Sequence, residues 1–120
     1  MLLNLTKILK LNTSEHTKDS SILHIDVGNT SIMNWVNDNK YIVFSEIVRY
    51  SEKMIKNDLE YINAIMISNL ADNIVFIIKK DSINLTLKKA MEYFLNIEEY
   101  EQCGKIRDLL ILISNRNKSI

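Results

Sequence analysis

The chain has no proline, two glycines and a single cysteine among its 120 residues. One cysteine cannot close an internal disulfide, so stability must come from an apolar core, which suits a reducing compartment. Gly28 and Gly104 are too few to build the glycine-rich loops that let backbone amides approach nucleotide phosphates. Two histidines and no Cys-x-x-Cys pair leave no zinc-ligand set of ordinary spacing. Neither charge sign is in excess: fifteen basic residues balance fifteen acidic ones, so no net field attracts a polyanion. Nucleic acid and anionic membrane surfaces are therefore disfavoured as partners. No apolar run approaches the ~20 residues of a membrane span, and the first ten residues lack the uninterrupted apolar core of a signal peptide. The expectation is a soluble cytoplasmic protein with no membrane partner.

What is present fits one small domain spanning residues 1–120. A 47% hydrophobic, 25% charged composition is that of a folded chain, and at this length about two-thirds of the unfolded surface is buried. The abundance of Asn, Ile and Lys is what an A/T-rich coding sequence yields. It suggests a low-GC bacterium or one of its phages, and so the cytoplasm of a bacterium or of an infected host.

Taken in order, Leu2, Leu3, Leu5, Ile8 and Leu9 fall at the spacing of a short amphipathic helix, with Lys7 and Lys10 opposite. A polar loop follows, which makes residues 1–20 a helical arm. Residues 21–80 are expected to form an α+β core. In it, 22–27 alternates apolar and polar side chains as a half-buried strand does, and Gly28 and Asn29 turn it. Residues 32–36 and 41–48 are expected as two further strands, joined through Asn37, Asp38 and Asn39 into an antiparallel meander. Ser51 then caps an expected helix with a stripe of Ile55, Leu59, Ile62 and Met66, ended at Asp72 and Asn73. The continuous apolar run 74–78 suggests a strand covered on both faces, central in the sheet. Residues 81–114 complete the chain as a helical hairpin, giving an α+β fold class: a small antiparallel sheet packed by helices, with a C-terminal antiparallel helical hairpin.

Few residues offer chemistry. Asp26, Gly28 and Thr30 resemble the first phosphate loop of the actin-like ATPase superfamily, most closely that of type III pantothenate kinases. That fold requires two duplicated halves and a second glycine-rich loop, neither of which fits here, and a tight turn after a strand gives the same residues. His24 and Asp26 share a strand face near Ser20, Ser21 and Ser31, an arrangement that any polar strand face supplies. Lys79, Lys80, Lys88 and Lys89 could form a small basic patch. Cys103 is expected as a small buried hydrophobe rather than a nucleophile. No catalytic residue, metal ligand or cofactor is assigned, and the chain is expected to be non-enzymatic.

The informative stretch is 87–108. Its apolar residues recur at helical spacing on both sides of a polar joint at Asn96, describing two short antiparallel helices. Folding at Asn96 brings Phe94 toward Tyr100, Met91 toward Cys103 and Leu87 toward Ile106. The small residues Ala90, Cys103 and Gly104 are expected to let the helices approach closely. Leu87, Met91, Glu99, Tyr100, Glu101, Cys103, Gly104, Ile106, Arg107 and Asp108 fall, without a gap, in the register of the UVR motif, which this stretch resembles. That motif is the helical hairpin of the excision-repair subunits UvrB and UvrC. Glu98 stands where the family has an apolar residue, and Gly104 where it has an alanine. The resemblance implies binding to another protein or to a second copy of the hairpin, with Tyr100, Glu101 and Arg107 as contacts. The run 109–113 is apolar on every side of its helix, so Leu109 and Leu112 are added to the expected partner surface.

The expectation is thus a protein–protein interaction or adaptor protein that uses a UVR-like hairpin and can self-associate. The alternatives are a nucleic-acid-associated accessory protein using the four lysines, a phage-encoded regulator of a host machine, and a degenerate phosphate-binding domain at residues 26–30.

Overall fold

The computed structural model describes residues 23–118; the expected arm at 1–20, and Ser21 after it, lie outside them. In chain order the elements are β1 (Leu23–Asp26), α1 (Ile32–Asp38), α2 (Lys40–Lys56), β2 (Tyr61–Ser68) and β3 (Asn73–Lys79). A 3-10 turn at Lys80–Ser82 then leads into α3 (Ile83–Asn96) and α4 (Tyr100–Lys118). The α+β class is as expected. The described residues divide into two compact units: 23–43 with Asn63–Ile77, and Phe44–Ile62 with the residues from Ile78 onward.

The first unit holds the sheet, in the order β1-β2-β3. β1 and β2 run parallel, with Leu23 opposite Ile65 and Asp26 opposite Ser68. Parallel neighbours need a crossover, and helices supply it where the sequence suggested an antiparallel meander. Residues 32–36 are α1, not a strand. Ser31 stands in extended backbone and its hydroxyl accepts the Asn34 amide at 3.2 Å, an N-cap that starts the helix. Ile32 and Trp35, three apart, are its buried residues. Asn39 closes α1: its backbone N–H donates to the Val36 carbonyl and its side-chain amide to the Trp35 carbonyl. The Asn39 carbonyl in turn accepts the Val43 amide at the start of α2. The expected turn at 37–39 is therefore real, but it joins two helices.

β2 replaces the second half of the expected helix at 51–70. Ala64, Ile65 and Ile67 are fully buried, and β-branched residues crowd a helix less comfortably than a pleated sheet. Four residues join β2 to β3, too few for a crossover, so this pair is antiparallel. The Asn69 carboxamide oxygen fixes the turn by accepting the Ala71 and Asp72 amides at 2.9 and 2.7 Å. β3 is the expected strand at 74–78, but it lies at the edge of the sheet rather than in its centre.

The second unit contains most of α2, with α3 and α4. Residues 41–48 belong to α2, not to a strand, and Ser51 lies fully buried inside that helix rather than at its cap. Ile47, Val48, Tyr50, Met54 and Ile55 are buried at helical spacing. The helix ends without glycine. Asp58 takes φ +52°, its amide bonds the Ile55 carbonyl, and the Leu59 amide bonds the Met54 carbonyl. These two bonds make a Schellman motif, with Leu59 and Met54 at the positions whose apolar contact usually accompanies it. Phe44 stacks on Tyr93 at 4.9 Å between ring centroids, and Tyr93 meets Phe94 edge-on at 5.1 Å, which ties α2 to α3.

Candidate partner-binding surface on the helical hairpin

α3 buries Ile83, Leu87, Ala90 and Phe94, spaced by three and four residues as one face of a helix requires. Ala90 completes that stripe, and Met91, expected to face Cys103, is only half-buried. The helix ends as α2 does. Glu98 takes φ +61°, its amide donates to the Leu95 carbonyl at 3.0 Å, and the Glu99 amide donates to Phe94 at 2.8 Å. This second Schellman motif reverses the chain in three residues, so α4 packs back along α3 as an antiparallel hairpin. Glu98 is the residue in the left-handed conformation, which gives the departure from the UVR pattern a conformational role.

α4 buries Ile106 and Leu109. Half-buried Gln102, Cys103, Leu110 and Ile113 flank them and widen the inward stripe. Two side chains anchor the helix to α2. The Lys105 ammonium lies 3.7 Å from the Glu52 carboxylate, and the Arg116 guanidinium donates to the Ile55 carbonyl near the end of α2. Glu52 also pairs with Lys56 at 2.9 Å, and the hydrogen bond from Lys56 is the main reason its carboxyl is held below the usual carboxylate range.

The sequence-assigned contact residues separate into two groups. Tyr100 is 63% exposed, and Glu101 and Arg107 are exposed with it. Leu109 is only 5% exposed and Leu112 is half-buried, so Leu109 is a core residue of this fold. Residues 109–113 are therefore covered on the Leu109 side by the chain itself. Ile111, 51% exposed, is the apolar residue of that run that faces outward. Tyr100, Arg107 and Ile111 stand seven and four residues apart, which aligns them on the outward face, with Gly104 between Tyr100 and Arg107. Ile111 was legible only as one letter of an all-apolar run; the period fixed by Ile106 and Leu109 is what singles it out.

Two features refine this surface. A methyl group built on Gly104 would meet nothing within 4 Å, so the glycine does not serve close packing of the two helices, contrary to the expectation from its size. It leaves a flat place on the outward face between an aromatic ring and a guanidinium. Arg107 is bonded to the neighbouring Asp108 carboxylate at 3.1 Å. Both groups are exposed, so that pair is worth little in water and is easily exchanged for a partner's carboxylate. Leu95 and Ile97, near the turn, are exposed apolar residues as well.

The other candidates fare differently. After Asp26 the chain enters a turn and a helix, not the returning strand that the phosphate-loop resemblance requires. The Asp26 carboxylate accepts the Gly28 amide at 2.9 Å, and Gly28 at φ +65° lets the turn close. Among the four lysines, Lys80 lies 3.1 Å from Asp58 and 3.7 Å from Glu60, and the hydrogen bond it donates to Asp58 raises its pKa. The two carboxylates reduce what that lysine could offer a phosphate. Among the described residues no three of His, Cys, Asp and Glu converge as metal ligands, and no helix is long and apolar enough to cross a membrane. No family model, curated protein or solved structure matches the chain.

Proposed function

We propose that the protein is a non-enzymatic cytoplasmic adaptor whose α3–α4 hairpin docks onto another protein through the outward face of α4. One observation carries this reading: a helix that buries Ile106 and Leu109 on its inward face still presents Tyr100, Arg107 and Ile111 in line outside, with Glu101 adjacent. An exposed aromatic next to a guanidinium has the chemistry of an interface anchor, because it contributes large contact area and an adaptable ion pair. The resemblance of 87–108 to the UVR motif points the same way, toward a partner hairpin of the same kind or a second copy of this one.

Leu109 is not part of the docking surface in this reading. It anchors α4 in the core so that Tyr100 and Arg107 are presented on a rigid element. The nucleic-acid alternative loses support from the engagement of Lys80 by Asp58 and Glu60. Affinity capture from the native host tests the proposal. The wild-type chain should retain a partner that the double variant Tyr100→Ala, Arg107→Glu does not. Equal capture by both chains would sink the assignment of this face.

A further inference from the structure

A second surface is independent of the hairpin. Among the described residues β3 has a neighbour on one side only, because the sheet runs β1-β2-β3. Edge strands usually carry a charge, a proline or a bulge that discourages pairing. From Asn73 to Ile78 β3 carries neither charge nor proline; five consecutive apolar residues follow Asn73, and its charge, Lys79, stands at the very end. Ile74 and Ile77 point to opposite faces of the strand and are 39% and 48% exposed. Such a run is what a strand covered on both faces contains, yet here both faces are partly exposed and, among the described residues, the strand lies at the edge.

We propose that the free edge of β3 pairs with the same edge of a second copy, antiparallel and centred on Phe76. The strand is self-complementary in that register. Ile74 falls opposite Ile78, Val75 opposite Ile77, and Phe76 opposite its own copy, while Lys79 falls opposite Asn73 and beside the acidic turn residue Asp72. No like charges meet, and aromatic and β-branched pairs face one another, which are favourable cross-strand combinations. The product is one continuous sheet with three strands from each copy.

The register gives a sharp test, made in the full chain with Cys103→Ser to remove the native thiol. In an antiparallel pair facing residues lie about 4.5–5.5 Å apart between Cα atoms, within disulfide range. Phe76→Cys should therefore cross-link to a dimer under mild oxidation, and Asn73→Cys, which would face Lys79 rather than itself, should not. Light scattering should show a wild-type dimer that becomes a monomer in Ile77→Lys with an unchanged circular dichroism spectrum, while the Tyr100→Ala, Arg107→Glu variant stays dimeric. A monomeric wild type, equal cross-linking at both positions, or a dimer untouched by Ile77→Lys would each overturn the pairing, and none of them bears on capture of a different protein by the hairpin.

Discussion

At the scale of single residues, backbone conformation explains two positions better than side-chain contact does. Glu98 holds a left-handed conformation that costs an L-residue about 1–2 kcal/mol, offset by the pair of bonds that end α3. Glu98→Gly is therefore expected to raise stability by about 1 kcal/mol, once the greater freedom of glycine in the unfolded chain is subtracted; the denaturation midpoint measures it. Gly104 is the opposite case. It sits in a helix with open space where a methyl would go, so Gly104→Ala should stabilise the fold by roughly 0.8–1.0 kcal/mol. If the flat place it leaves is used by a partner, the same variant binds more weakly while melting later. A more stable chain with unimpaired binding would remove Gly104 from the surface.

His24 makes stability depend on pH. Half-buried on β1, its imidazole is shifted by burial below its ordinary pKa of about 6.5. Between the lowered folded value and the ordinary unfolded one, the unfolded chain binds more protons. Stability is therefore fully present above about pH 6.5 and declines as pH falls toward the folded value. Melting curves at pH 7.5 and 5.5 should differ, and less so in His24→Gln. An identical difference in that variant would assign the dependence elsewhere.

At the scale of elements, legibility followed the length of the periodic signal. α3 and α4 were readable because their apolar stripes repeat over several turns and a polar joint separates them. β1 and β3 were readable as a short alternation and a bounded apolar run. The stretch 32–56 was not. Tyr41, Ile42, Val43 and Phe44 have strand-like propensity in a short window, but Val43, Ile47, Tyr50 and Met54 are buried at helical intervals across it. Tertiary burial decided the helix against local preference. The boundary between α2 and β2 was hidden for a related reason. Asp58 ends the helix in a left-handed conformation that glycine more often takes, so no glycine marked the stop. The candidate surface was legible in part: Tyr100, Glu101 and Arg107 are exposed, whereas Leu109 faces the core and Ile111 takes the outward place.

At the scale of the whole molecule, the chain offers two surfaces of different chemistry. One is a helix face with an exposed aromatic ring beside an exposed ion pair; the other is a strand edge that has no neighbour among the described residues. An adaptor that dimerised through β3 would present two hairpins at once and gain avidity for a partner with paired sites. The docking face of α4 remains the central claim, and titration of the captured partner against point variants tests it most directly. Leu85, exposed on α3 and outside the proposed face, supplies the control. Tyr100→Ala is expected to weaken binding by about tenfold or more, as loss of an aromatic anchor does, with Leu85→Ala indistinguishable from wild type. Undiminished affinity in Tyr100→Ala, or an equal loss in both variants, would contradict the account.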